Sequence, residues 1–278
     1  MNNSFFVSEQ YRTPANLQAR IALHERFTVN PYDWMLWVLD NIPLGGDARV
    51  LEVGCGTGRL WKTNAHRLRP GWDITLTDQS AGMVEQARAA LAGVAHPFRF
   101  EVCPADRIPR EDASVDVVIA NHMLYHVPDL PAALAEIRRV LKPGGALYAA
   151  TNGAGHMREI DALYSGFRGR AEKLGMSLSF TLENGADLLR PVFPSVAMVR
   201  RSDALEVDDA GALADYILSM TTGDNPPARE SLLAFIGSRL AEQGVRSYLL
   251  DVTGEIKAAG RKPDGTPWRI AIEAPRDD

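Results

Sequence analysis

The stretch Val50-Leu51-Glu52-Val53-Gly54-Cys55-Gly56-Thr57-Gly58 decides the fold, because an apolar run typical of a buried strand leads directly into three alternate glycines. Glycine lets the backbone turn tightly and leaves no Cβ in the way of a ligand that lies across the strand ends. Many strand–helix junctions need such a turn for structural reasons alone. Followed by the helical pattern of Arg59–Leu68, however, it predicts the first unit of a parallel α/β sheet.

The alternation of short apolar runs and segments of helical period continues to residue 151, which indicates a doubly wound, mostly parallel sheet. Its predicted strands are Arg49–Val53, Asp73–Thr77, Phe98–Val102, Val115–Ala120 and Ala146–Thr151. Outside this range the periodicity predicts helices over residues 15–27, 32–41, 157–174, 210–220 and 229–243, and strands over 196–207 and 247–259. We therefore expect one sheet with a helical insertion between its fifth strand and its last two.

The composition excludes several classes of protein. Among 278 residues, 30 are Lys or Arg and 35 are Asp or Glu, so the net charge is −5, which argues against binding to phosphate backbones. An apolar share of 46% and a charged share of 23% are ordinary for a folded protein. Two cysteines without a C-x-x-C pair, no secretory signal and no long apolar window predict a cytoplasmic protein with no membrane contact.

The spacing around the glycines indicates which ligand the sheet binds. Asp78 lies 20 residues after Gly58, where a carboxylate can accept hydrogen bonds from ribose hydroxyls. The third glycine comes one residue too early for a dinucleotide fingerprint, and the Lys-Ser/Thr of a phosphate loop is absent. Glu52, just before the glycines, would repel a phosphate. The sequence therefore predicts a cationic or zwitterionic nucleoside.

Five motifs occur in an order that resembles the class I S-adenosylmethionine-dependent methyltransferases. They are Leu51–Gly58, Asp78 with Met83, Ile108-Pro109, Val117–Val127 and Arg139–Gly145. The resemblance covers residues 45–152 and is strongest to the small-molecule branch, which includes ubiquinone-biosynthesis and natural-product methyltransferases. It implies a seven-stranded Rossmann-like sheet with S-adenosyl-L-methionine as cofactor. We then expect an N-terminal helical cap (1–44), a cofactor-binding core (45–152), a helical lid (153–243) with a core strand near 196–207, and a closing strand and tail (244–278).

The resemblance also implies which residues bind the cofactor. Those assigned to it are Tyr11, Glu52, Gly54, Cys55, Gly56, Gly58, Asp78, Gln79, Met83, Ala105, Asp106, Arg107 and Asn121. The glycine loop and Glu52 would hold the methionine part, Asp78 the ribose, and Gln79 and Met83 the adenine. The family usually has an acid before an alanine after the third strand, where this chain has Pro104 before Ala105. Asp106 or the backbone of residues 105–107 would serve instead, and the choice stays open.

Three histidines are candidate bases for an in-line methyl transfer, in which alignment of the two reactants contributes most of the catalysis. His122 and His126 follow the fourth strand and, if these residues begin a helical turn, lie four apart on one face of it. His156 follows the fifth strand. Each has a structural alternative: His122 or His126 could shape its loop, and His156 could belong to a solvated helix start. No metal site is expected.

The sequence thus predicts methyl transfer to a small organic acceptor in secondary or cofactor metabolism, with oxygen or nitrogen favoured over carbon. Two alternatives stay open: a tRNA or protein methyltransferase, and a module that binds the cofactor without catalysis. We expect no nucleic-acid partner and leave a homodimer open. Trp34 and Trp37 are expected to pack in the core, and Arg168, Arg170, Arg200 and Arg201 to lie on solvated faces.

Overall fold

The computed structural model describes residues 14–174, 178–221, 226–243, 248–251 and 254–259. The chain divides into two compact units. The first, called the sheet unit, comprises Tyr32–Asn152, Phe180–Arg201 and Gly254–Asp278. The second, called the helical unit, comprises Met1–Pro31, Gly153–Ser179 and Ser202–Thr253. Among the described residues, no helix is both long enough and apolar enough to span a lipid bilayer.

The strands are β1 (Ala48–Val53), β2 (Trp72–Asp78), β3 (Phe98–Val102), β4 (Val115–Asn121), β5 (Leu141–Asn152), β6 (Val196–Arg201), β7 (Ala204–Val207), β8 (Tyr248–Asp251) and β9 (Gly254–Ala259). In the sheet unit they pair in the order β3-β2-β1-β4-β5-β9-β6. The first five are parallel, and β9 runs antiparallel to both β5 and β6. The predicted mostly parallel α/β sheet is confirmed, and its first four strands lie within one residue of their predicted bounds.

The helices are α1 (Pro14–Phe27), α2 (Trp34–Asp40), α3 (Arg59–Thr63), α4 (Ala81–Leu91), α5 (Leu130–Val140), α6 (Arg158–Arg168), α7 (Gly185–Leu189), α8 (Ala210–Met220) and α9 (Arg229–Gln243).

The single helix predicted over Arg59–Leu68 is wrong, since α3 ends at Thr63 and a 3₁₀ turn follows. Asn64 is fully buried at the break, and its amide donates to the carbonyls of Leu60 and Met35. These bonds replace the continuing helix.

The central strands are apolar on both faces because helices cover both faces of the sheet. One face packs with α2, α3 and α4 through Val50, Ile74 and Trp61. The other packs with α5 and α7 through Leu51 and Val118. Burial on both faces fixes the register of the parallel strands, so that the loops after β3, β2, β1 and β4 come together at one edge of the sheet.

The helical unit has its own apolar core, in which Leu23, Leu213 and Ile217 are almost fully buried. It also contains a two-stranded sheet of β7 and β8. The single strand predicted over 196–207 is therefore wrong: β6 belongs to the large sheet and β7 to the small one. Asp203 lies between them, and its carboxylate accepts hydrogen bonds from the backbone N–H groups of Ala204 and Asn30.

Two further predictions in the last third of the chain needed correction. The strand predicted over 247–259 is divided into β8 and β9, while residues 247, 252 and 253 lie outside the described residues. The helix predicted over 157–174 ends at Arg168, because Gly169 adopts a left-handed conformation with φ of 64°. Such a glycine is a frequent helix terminator.

Candidate functional site

The three glycines after β1 all have positive φ, but each is required for a different reason. A Cβ on Gly54 would lie 2.7 Å from the Cβ of Met123, so the loop after β4 packs against this position. A Cβ on Gly58 would lie 3.2 Å from that of Ala87 on α4. At Gly56, by contrast, a Cβ would meet no atom of the described residues within 4 Å. Gly56 therefore borders open space at the edge of the sheet.

Asp78, the last residue of β2, holds the glycine loop in place. Its carboxylate accepts hydrogen bonds from the backbone N–H of Gly56 at 3.0 Å and of Ser80 at 2.9 Å. The N–H of Cys55 donates to the carbonyl of Thr77 at 2.9 Å, which ties the same loop to β2. Burial raises the pKa of Asp78, while the two backbone bonds oppose that rise. Each carboxylate oxygen keeps acceptor capacity for a ligand.

Glu52 is a carboxylate buried in the sheet, with only 2% of its surface exposed. The indole N–H of Trp61 on α3 donates to its Oε2 at 2.7 Å. Burial raises the pKa of Glu52 to about 8, Trp61 opposes the rise and Asp78 adds to it. Sequence reasoning predicted Glu52 but missed Trp61, because no motif links a tryptophan in the following helix to this acid.

The residues expected near the adenine surround the ends of β2 and β3. The side chain of Gln79 is exposed and Met83 is half-buried in the first turn of α4. Asp106 follows β3 in a turn closed by the bond from the Arg107 N–H to the carbonyl of Pro104. Its Oδ1 is buried and accepts no hydrogen bond from the described residues. Ala105 is half-buried and the Arg107 side chain is exposed.

The segment after β4 differs from its prediction. His122 has a φ of 54°, and the 3₁₀ turn covers only Leu124–His126, so His122 and His126 do not share a helical turn. The ring of His122 lies 5.1 Å from that of Trp34, and the ring of His126 lies 4.5 Å from that of Tyr125.

Asn121 donates to the sulfur of Met35 at 3.7 Å, while its buried Oδ1 accepts no hydrogen bond from the described residues.

Arg201 does not lie on a solvated face as predicted, since only 5% of it is exposed. Its guanidinium lies over the rings of Trp34 and Trp37, at 5.6 and 5.9 Å from their centroids, and donates to the carbonyl of Tyr32. The two tryptophans pack against the apolar cluster of the sheet, as predicted. The acidic residues that follow Arg200 and Arg201 in the sequence suggested a solvated face, so this buried cation–π arrangement was not predicted.

Two predicted site residues are not brought to this edge by any described contact. His156 lies in the helical unit, where its ring is stacked with that of His24 at 6.3 Å between centroids. Tyr11 falls outside the described residues. Both stay predictions.

The edge of the sheet thus collects hydrogen-bond acceptors on four neighbouring segments. They are the carboxylates of Glu52, Asp78 and Asp106 and the amide oxygen of Asn121. A ligand with N–H and O–H donors and a positive charge fits such a set, whereas a phosphate would be repelled. The open space at Gly56 gives that ligand room against the backbone.

Comparison with known families places a model described as "Methyltransferase domain" on residues 51–149. A second model, that of the ApbE family, matches residues 232–278, a stretch too short to show a family for the chain.

Curated relatives and solved structures agree with the first model. The chain is 34% identical over 115 residues to malonyl-[acyl-carrier protein] O-methyltransferase of Serratia marcescens, covering 40% of this chain and 41% of the relative. It is 34% identical over 112 residues to the ubiquinone/menaquinone biosynthesis C-methyltransferase UbiE of Desulfotalea psychrophila, covering 40% and 44%. The chain therefore spans less than half the length of these relatives.

Among solved structures, an N-methyltransferase 2 of Haemonchus contortus was determined with phosphomonomethylethanolamine and S-adenosylhomocysteine. It superposes with a TM-score of 0.57 at 20% identity, covering 92% of this chain and 59% of that one. At this identity the likeness shows a shared fold.

Proposed function

We propose that the protein transfers a methyl group from S-adenosylmethionine to an oxygen or nitrogen atom of a small organic acceptor, in agreement with the methyltransferase domain that matches residues 51–149. The observation that carries the proposal is the open space at Gly56, whose N–H donates to Asp78 at the carboxyl edge of the parallel strands. Ligands of open α/β sheets bind at this edge.

The residues present fit the cofactor. S-adenosylmethionine carries an ammonium group, ribose hydroxyls and an adenine amine, which are donors that match the acceptors at this edge. We assign the ribose to Asp78, the methionine part to Glu52 and the glycine loop, and the adenine amine to Oδ1 of Asp106, which accepts no hydrogen bond from the described residues. When bound, the cofactor supplies a methyl group activated on a positively charged sulfur.

The chain's own contribution to the reaction is to align the acceptor and to receive its proton. Alignment alone can contribute about 7–11 kcal/mol in the best oriented reactions. We assign the proton-accepting role to His122, which is half-buried beside Trp34 in the segment after β4. His126 is the second candidate, and the role predicted for His156 awaits the same test.

The relatives support a small acceptor. One name describes O-methylation of malonyl-[acyl-carrier protein], and the other describes C-methylation in ubiquinone and menaquinone biosynthesis. The net charge of −5 also disfavours a nucleic-acid substrate.

The test is to incubate the chain with methyl-labelled S-adenosylmethionine and a panel of carboxylic acids, phenols and amines, with tRNA and a protein mixture as separate arms. We expect label on one class of small acceptor, and lower kcat with little change of cofactor affinity for His122→Ala. Label on tRNA that declines as salt rises would contradict the small-acceptor proposal. Cofactor binding with no labelled product in any arm would favour a module without catalysis.

A further inference from the structure

Trp61 makes a buried hydrogen bond beside the proposed cofactor site, and the proposed function gives this residue no role. It is fully buried in the core between α3 and the sheet, and its ring centroid lies 6.4 Å from that of Phe98. Its indole N–H reaches Oε2 of Glu52 at 2.7 Å, which is short for a nitrogen donor. An indole can only donate, so this bond selects one carboxylate oxygen and fixes the side chain of Glu52.

We propose that Trp61 is a positioning residue for the cofactor, which holds Glu52 in the orientation and charge state that bind S-adenosylmethionine. The inference rests on the proposed function, in which Glu52 faces the methionine part of the cofactor. Within the described residues, Oε1 of Glu52 has no hydrogen-bond partner, so Trp61 occupies one oxygen and leaves the other for a ligand.

The hydrogen bond from Trp61 is expected to affect cofactor affinity because it acts on the charge of Glu52. The titratable groups that face Glu52 are Asp78 and the Cys55 thiol, and Trp61 is the donor to its carboxylate. Burial raises the pKa of Glu52 to about 8, so the acid is largely neutral at pH 7 in the free protein. A cationic ligand favours the carboxylate, and its affinity should therefore rise with pH up to about 8.

Removal of the Trp61 indole N–H should shift the pH dependence of cofactor affinity in a defined direction. Since Trp61 lowers the pKa of Glu52, Trp61→Phe should raise that pKa and shift the increase in affinity to higher pH. A hydrogen bond to a charged group corresponds to about tenfold or more in affinity. We expect at least this loss for S-adenosylmethionine at pH 7, with partial recovery as the pH approaches 9.

The chain offers a matched control in Trp72. It is 6% exposed, belongs to the same apolar cluster as Trp61 and also donates its indole N–H at 2.7 Å. Its acceptor, however, is the carbonyl of Gly45, before β1 and at the opposite end of the strands. Trp72→Phe therefore loses the same kind of bond and should leave the affinity within about twofold.

The experiment is isothermal titration with S-adenosylmethionine and S-adenosylhomocysteine between pH 6 and 9. It uses the wild-type chain, Trp61→Phe, Trp72→Phe, Glu52→Gln and the double variant Glu52→Gln/Trp61→Phe, with thermal unfolding as a check of folding. The proposal is supported if the single variant Trp61→Phe shifts the pH dependence of cofactor affinity and Trp72→Phe does not. The double variant should then show the same pH dependence as Glu52→Gln.

Two results would overturn the role of Trp61: equal effects of Trp61→Phe and Trp72→Phe, or a Trp61→Phe effect that persists without Glu52. If Trp61→Phe does not fold, the proposal can still fail through Glu52→Gln, because a pH dependence of affinity that this variant leaves unchanged overturns it. Failure of the wild-type chain to bind either nucleoside would instead overturn the proposed function itself.

Discussion

The segments after β1 and after β4 leave neighbouring strands at the same edge of the sheet, yet they build their turns differently. After β1, every residue with positive φ is a glycine. After β4, the residue with positive φ is His122, at 54°. A side chain in this region is strained by about 1–2 kcal/mol. In the first segment glycine occupies every position of positive φ, whereas the second has a histidine where glycine would cause less backbone strain.

The largest effect expected from this comparison concerns Glu52, the buried acid at the end of β1. Its pKa is about 8 in the folded chain against an ordinary 4.5, so the unfolded chain ionises first as the pH rises. Stability should therefore fall between about pH 4.5 and 8, by up to about 1.4 kcal/mol per pH unit. In urea unfolding, Glu52→Gln should no longer show this decrease of the free energy of unfolding with pH. The exposed Glu111→Gln is the control, and an equal slope in Glu52→Gln would contradict the assignment.

A smaller effect is expected where the two segments touch. Gly54→Ala places a Cβ 2.7 Å from that of Met123 and at a φ of 66°, so it should cost about 2–4 kcal/mol in the free energy of unfolding. Gly45→Ala, with no atom within 4 Å among the described residues, should be nearly neutral. Met123→Gly should recover part of the loss in the Gly54→Ala background. Additive effects would show that the two segments do not press on each other here.

The smallest effect concerns the strain at His122. At ordinary backbone angles alanine is more stabilising than glycine by about 0.5–1 kcal/mol. At His122 the order should reverse, with His122→Gly more stable than His122→Ala by about 1 kcal/mol. At His126, in a 3₁₀ turn, alanine should stay the better residue. Chemical denaturation of the four variants measures both differences, and the same order at both positions would remove the contrast between the segments.

The sequence predicted the first segment well because its signals are local. Three glycines after an apolar run report their backbone conformation directly, and Asp78 follows at a spacing set by one strand–helix–strand unit. The same holds for β3, α8 and α9, whose predicted bounds match the structure.

What the sequence could not predict depends on contacts between distant residues. No local pattern announces that Asn64 ends α3 by donating to Met35, or that Arg201 is buried over Trp34 and Trp37. The bond from Trp61 to Glu52 is of the same kind, since it needs the packing of α3 on the sheet. His122 lacks the glycine that would have signalled its turn, so the sequence left open a helical turn that would include His122, which the structure does not contain.

The central claim is that S-adenosylmethionine lies against Gly56 at the edge of the sheet. It is tested most directly by isothermal titration of S-adenosylhomocysteine into wild-type, Gly56→Ala and Gly144→Ala chains. Both glycines have positive φ and open space for a Cβ among the described residues, so the two substitutions impose similar strain. We predict that Gly56→Ala weakens binding by about tenfold or more, while Gly144→Ala binds as the wild type does. Equal affinities of the two variants would contradict the placement of the cofactor.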